Sequence, residues 1–271
     1  MFVPVLAAHR IDSQSLRTAA LAFAAFCLCA SGGYIFNDLL DAESDRQHAR
    51  KRSRPLASSA ISTSVAIAVL AVLWLAGFAI AFVWLPRSFL AIAAIYLAAT
   101  VLYSARFKRE AVLDVIVLAG LYVLRVVAGG AAGDIAISTW LLAFTLFLSL
   151  SLAFLKRFVE VHERKMQGFD AVPGRGYRSD DAAWLHSAGL LSSYLAVVIL
   201  AIYANNADIA RLYSKPERLL LICPLLLYWS TRTWLKAHRR QIHDDPVVAV
   251  ASDPASYVIA VLAAAAVLSA V

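Results

Sequence analysis

Along this chain long apolar stretches alternate with short polar breaks. The stretches are 15–36, 60–85, 88–104, 112–132, 137–156, 184–205, 218–236 and 254–271, preceded by a shorter apolar piece at the N-terminus, MFVPVLAAHR. Most are close to the roughly 20 residues that a helix needs to cross the hydrocarbon core of a bilayer. A backbone in lipid must satisfy its own hydrogen bonds, so each stretch is predicted to be helical. Alternation with a period of two is absent, which argues against a β-barrel. The predicted architecture is all-α: a polytopic transmembrane helical bundle of about eight to nine helices, forming one domain over 1–271.

Composition strengthens this picture. The chain is 61% hydrophobic and 16% charged, whereas a soluble domain is about half apolar and a quarter charged. The net charge of +7 raises the question of nucleic acid. The basic residues sit in short loops between apolar stretches, a placement that membrane topology explains and nucleic-acid binding does not. With the N-terminal piece counted as the first helix, loops after even-numbered helices hold eighteen of the 25 basic residues. Those loops are therefore expected to be cytoplasmic, in the inner (plasma) membrane. The N-terminal piece lacks the basic start and small-residue cleavage site of a secretory signal. Cys27, Cys29 and Cys223 lie in apolar runs with no zinc spacing and read as small packing residues. His48, His162 and His186 show no metal spacing either.

Two of the even loops, 37–58 and 156–183, are unusually long and polar. They lie four helices apart, and FNDLLDAESDRQ (36–47) against LKRFVEVHERKM (155–166) shows related polar spacing with different charge. The first carries the clearest chemistry. Asn37, Asp41 and Asp45 are spaced i, i+4, i+8, and Asp38 lies three before Asp41, so on a helix the four form one stripe at the end of a span. Such a stripe repels itself and needs a cation, and hard oxygen ligands favour Mg²⁺. Mg²⁺ prefers a few carboxylates together with substrate phosphates to an all-protein cage. Lys51, Arg52 and Arg54 follow closely, and acids for the metal beside cations for phosphate oxygens are what a chelated diphosphate requires. Because acidic residues contribute little to topology, the acids are assigned the catalytic role.

NDLLDAESD resembles the first Asp-rich motif of the UbiA superfamily of intramembrane prenyltransferases, and LYSARFK (102–108) is similar to that family's Tyr-Ser-x-x-x-Lys segment, with Tyr103 and Lys108. The second polar loop falls where the family carries its second Asp-rich motif. Here that loop reads LKRFVEVHER, with Lys156, Arg157, Glu160, Glu163 and Arg164, so acid has partly become base. Together with Lys51-Arg52-x-Arg54-Pro55 and the segment VLDVIVLAGLYVLRVVAGGAA (112–132), this resembles one branch in particular, the decaprenyl-phosphate phosphoribosyltransferases. Relatives open with a longer first helix, and beside them MFVPVLAAHR reads as that helix truncated.

The resemblance implies a Mg²⁺-dependent transferase of cell wall biosynthesis. Its donor would be phosphoribosyl pyrophosphate and its acceptor a polyprenyl phosphate. Asn37, Asp38, Asp41 and Asp45 would hold the metal. Lys51, Arg52, Arg54, Tyr103, Lys108, Lys156, Arg157 and Glu160 would bind substrate. The alternative is transfer of a prenyl group from a prenyl diphosphate to an aromatic or other small acceptor. A transporter is disfavoured, because ionisable residues cluster at helix ends and not at the membrane midplane. Asp114 is either a site residue or the partner of Lys108. Arg125 either snorkels to an interface or serves the site. Arg175 and Tyr177 either close over phosphate or belong to a plain linker. Association of copies of the chain is left open.

Overall fold

The computed structural model describes residues 1–46, 51–172, 174–206, 212–242 and 245–271. His48 and two arginines of the topology argument, Arg50 and Arg211, lie outside them. Among the described residues the regular structure is helical: α1 (Val3–Ala7), α2 (Ser13–Arg46), α3 (Thr63–Trp84), α4 (Arg87–Ala105), α5 (Leu113–Ala132), α6 (Thr139–Met166), α7 (Ala182–Ala204), α8 (Ile222–His238), α9 (Pro246–Ala251) and α10 (Pro254–Ala270). The eight predicted stretches correspond to α2–α8 and α10, and the N-terminal piece to the five-residue α1. Among the described residues six helices, α2–α7, are long and apolar enough to cross a membrane. At 17 residues each, α8 and α10 are shorter, and a 3₁₀ turn, Pro216–Leu221, leads into α8. The short α9 does not register as an apolar stretch in the sequence.

Local chemistry sets the boundaries. Ser62 and Ser138 cap α3 and α6 by accepting from the amides of Val65 and Leu141. Asp245 and Asp253 do the same for α9 and α10, each followed by proline in the first helical turn, where its missing N–H costs nothing. Two helices outrun their apolar stretches. With 34 residues, α2 is about 51 Å long at 1.5 Å per residue, against a hydrocarbon core of about 30 Å. Its polar end, with Asn37 to Asp45, therefore projects beyond the apolar part. The same holds for α6, whose 28 residues end in the charged segment from Lys156.

The chain divides into two compact units, Met1–Lys108 with Leu124–Ile137, and Arg109–Val123 with Ser138–Val271. In the first, α2 packs on α3 and α4, with Phe26 against the rings of Phe89 and Tyr96. Arg125 donates to the Tyr96 hydroxyl at 3.3 Å and lies over its ring. In the second, α6 and α7 form the central pair, with α8 against α7. Gly189 of α7 lets Trp234 approach so closely that a Cβ there would overlap the indole and press on Phe154. Trp234 is buried and donates to Ser151 Oγ at 3.1 Å. The three cysteines are free thiols, and Cys29 is buried.

Candidate functional site

In the first unit the C-terminal end of α2 presents Asn37, Asp38, Asp41 and Asp45 to two cations. The Arg54 guanidinium bridges Asp38 Oδ1 at 3.0 Å and Asp45 Oδ2 at 2.8 Å. Lys108 Nζ bridges Asn37 Oδ1 at 2.9 Å and Asp41 Oδ1 at 2.6 Å. Asn37 in turn donates to Asp41 Oδ2 at 3.1 Å. The helical spacing explains the arrangement: Asn37 and Asp41 are one turn apart, Asp38 and Asp45 two turns apart, so each pair shares a strip of surface. Arg54 follows a 3₁₀ turn at Lys51–Ser53, with its amide bonded to the Lys51 carbonyl.

Burial makes these pairings necessary. Asp45 is 4% exposed and Lys108 4% exposed, and an ionised group so far from water is retained only when paired. Lys108 comes from a second 3₁₀ turn, Phe107–Arg109, at the end of α4. Tyr103 is half-buried in the last turn of α4, beside buried Ser104. Lys51 is half-buried and Arg52 exposed.

Among the described residues, no three His, Cys, Asp or Glu side chains already meet around a common point as metal ligands. The donor set nevertheless suits Mg²⁺, since it offers one amide and three carboxylate oxygens, all hard, on one helix end. Mg²⁺ usually takes one or two carboxylates and completes its shell with water and substrate phosphate. Arg54 and Lys108 balance the charge of these carboxylates, and they are cations of the kind that a chelated diphosphate would also engage.

The second unit carries a separate polar network. Asp114 is fully buried, Arg157 1% exposed and Tyr177 2% exposed. Arg157 Nε donates to Asp114 Oδ2, and its Nη1 donates to Glu160 Oε2 at 2.5 Å. The Tyr177 hydroxyl donates to Asp114 Oδ1 at 2.6 Å and accepts from the Val112 amide at 2.9 Å. Arg175 lies 3.7 Å from the same Glu160 oxygen. Burial, and then the bond to the Asp114 carboxylate, push the Tyr177 phenol well above its ordinary range, so it keeps its proton. Lys156 pairs with Asp245 at 3.1 Å. Burial favours the neutral acid of Asp245, but the Lys156 ammonium and the amides of the α9 cap outweigh it and hold the carboxyl below its ordinary value.

Asp114 thus pairs with Arg157. Tyr177, one of the loop residues weighed as a linker, is a buried hydrogen-bonding partner. Asp245 was not foreseen as a partner of Lys156. Its signal is present in the sequence as an aspartate directly before proline, a helix-start signature.

The sequence profile of the UbiA prenyltransferase family matches residues 1–244. The chain belongs to that family. Members of the UbiA superfamily are transferases, and the six long apolar helices together with the family make this chain an integral membrane protein. It is 36% identical over 98% of its length to a protein named y4nM from Sinorhizobium fredii, and covers 52% of that protein. It is 34% identical over 95% of its length to the nodulation protein NoeC of Azorhizobium caulinodans, covering 84% of it. It is 33% identical over 69% of its length to the decaprenyl-phosphate phosphoribosyltransferase of Mycolicibacterium smegmatis, covering 58% of that enzyme. The chain therefore spans only about half the length of y4nM and less than two thirds of the M. smegmatis protein. A UbiA homolog from Archaeoglobus fulgidus, solved bound to DMAPP and Mg²⁺, shares the fold with a TM-score of 0.69 at 18% identity, over 94% of this chain and 88% of that one.

Proposed function

We propose that this UbiA protein transfers a phosphoribosyl group from phosphoribosyl pyrophosphate to a polyprenyl phosphate, with Mg²⁺, on the cytoplasmic face of the inner (plasma) membrane. The observation that carries this reading is the pair of cation-bridged strips at the end of α2, where Arg54 and Lys108 alternate with Asp38, Asp45, Asn37 and Asp41. Acids spaced for a hard divalent ion and cations suited to phosphate oxygens sit side by side there.

The choice of donor is supported by likeness to decaprenyl-phosphate phosphoribosyltransferase and by the basic character of the Lys156–Glu160 segment. A second acidic cluster would suit a prenyl diphosphate held by several metal ions.

Asn37, Asp38, Asp41 and Asp45 would hold Mg²⁺, which offsets the charge growing on the departing diphosphate. Lys51, Arg52, Arg54 and Lys108 take the diphosphate oxygens by charge-assisted hydrogen bonds, and Tyr103 lines the same substrate. An oxygen of the lipid phosphate forms a bond to ribose C1 as the bond from C1 to the diphosphate oxygen breaks. The products are a phosphodiester lipid and free diphosphate. A phosphate monoester is already anionic near neutral pH, so the reaction needs no strong general base. Lys156 and Glu160 are assigned to recognition of phosphate and sugar groups, and Arg157, 1% exposed, to holding Glu160 in place.

The test is transfer of label from phosphoribosyl pyrophosphate to a lipid-soluble product by purified protein supplied with polyprenyl phosphate. The expected result is Mg²⁺-dependent labelled lipid that D38N abolishes. Absence of that product, with consumption of a prenyl diphosphate in the presence of an aromatic acceptor, would select the prenyltransferase reading.

A further inference from the structure

The network of the second unit runs as a relay from a loop to the solvent-reaching Glu160. At its inner end Tyr177 sits between the Val112 amide and Asp114 Oδ1. Asp114 passes the constraint to Arg157, and Arg157 to Glu160. Exposure rises along this order: the side chains of Asp114 and Arg157 are 0% and 1% exposed, and that of Glu160 is 25% exposed. Arg157 is thus buried behind Glu160, and Glu160 is the member of the pair that a substrate can reach.

The loop holding Tyr177 is fastened independently. Ala171 and Arg178 pair as an antiparallel bridge, and the Val172 amide bonds to the Tyr177 carbonyl at 3.3 Å. Gly176 passes so close to the backbone of Arg109 and Ala111 that a Cβ there would lie 2.8 Å from the Arg109 oxygen and 2.6 Å from the Ala111 nitrogen. A side chain at that position would lift the loop and withdraw the phenol beside it. Two residues before Tyr177, Arg175 meets the far end of the relay at Glu160. One short loop therefore grips both ends of the Asp114–Arg157–Glu160 chain.

From this geometry we propose that Tyr177 is a positioning residue for the transfer reaction, acting through Asp114 and Arg157 to aim the Glu160 carboxylate at substrate. The proposal rests on the assignment of Glu160 to substrate binding made above. Without the phenol hydroxyl, Asp114 Oδ1 loses its donor in a site closed to water, and Asp114 and Arg157 are free to shift together. The phenol keeps its proton well above neutrality, so the latch acts throughout the working pH range.

The experiment is a double-mutant cycle on the full-length protein in liposomes, using Y177F, E160Q and the double variant, with V172A as a stability control. Val172 is buried in the same loop but outside the relay. Y177F is expected to lower kcat/KM by roughly tenfold or more, the worth of one hydrogen bond to a charged group. In the E160Q background the same change is expected to cost less than twofold, because the group it aims is already disabled. V172A, at equal or greater loss of thermal stability, is expected to lower kcat/KM less than Y177F does. An equal fold-loss in both backgrounds, or a Y177F loss matched by V172A, overturns the proposal. The cycle is run with whichever donor the wild type turns over. A chain active only with a prenyl diphosphate sinks the phosphoribosyl reading while leaving the latch to be judged by its own cycle. A chain active with neither removes the reaction Tyr177 is said to serve and overturns both.

Discussion

Lys108 is a lysine with 4% of its surface exposed, and its value lies in what it neutralises. Removing one member of a buried ion pair strands the other and costs about 3–5 kcal/mol. Since Asp41 is 26% exposed, K108M is expected to cost about 2–3 kcal/mol of stability in detergent, read by chemical unfolding. K108M/D41N should recover part of that loss, because the stranded charge is then gone. At the proposed metal strip, D38N should weaken apparent Mg²⁺ affinity on the order of a hundredfold, measured as the Mg²⁺ dependence of pyrophosphate binding, with helical content unchanged. The acids were legible in the sequence because their spacing matches the helical repeat at the edge of an apolar run. Their cation partners were legible only as a basic neighbourhood. That Arg54 takes Asp38 and Asp45 while Lys108 takes Asn37 and Asp41 depends on two 3₁₀ turns, which leave no periodic trace.

The helices themselves were readable from hydropathy, because lipid leaves the backbone no alternative to internal hydrogen bonding. Their polar extensions were harder to see. No continuous apolar run marks Asn37–Arg46 or the charged end of α6, and both stay helical because an existing helix adds each further residue at little cost. Close helix packing is also hidden from a single sequence. Gly189 looks like any glycine in an apolar run until Trp234 is placed against it. G189A is expected to destabilise the second unit by about 1–3 kcal/mol through overpacking, as a lowered unfolding temperature in detergent. The start of α10 offers a pH test. Asp253 accepts from Arg232, from Lys236 and from the Ala255 amide. The Arg232 bond, followed by that of Lys236, holds the Asp253 carboxyl well below its ordinary value. A depressed carboxyl contributes stability that is fully present above the unfolded value near about 4 and is lost as pH falls through the folded one. The stability gap between wild type and D253N should therefore be constant at neutral pH and narrow in acid below about pH 4.

For the whole molecule, the bias of basic residues toward loops after even-numbered helices predicts one orientation in the membrane. Single cysteines placed at Ser58 and Ser88, in a chain freed of Cys27, Cys29 and Cys223, should differ in labelling of intact cells by an impermeant thiol reagent. Ser88 is expected to label, and Ser58 only after permeabilisation. The reverse pattern would place the carboxylate strip on the outer face, away from a cytosolic phosphoribosyl donor. The family was legible from one motif and its setting, and the profile match to residues 1–244 agrees. The relay from Tyr177 to Glu160 was not, because it joins residues 63 positions apart at Tyr177 and Asp114 through a loop without sequence periodicity.

The end of α2 is proposed as a grip for magnesium carrying a diphosphate, and the most direct measurement is equilibrium binding of inorganic pyrophosphate to the purified protein, with and without Mg²⁺. Saturable binding that requires Mg²⁺ and weakens on the order of a hundredfold in D38N is the predicted result. Binding that is equally strong without the metal, or indifferent to D38N, would contradict it.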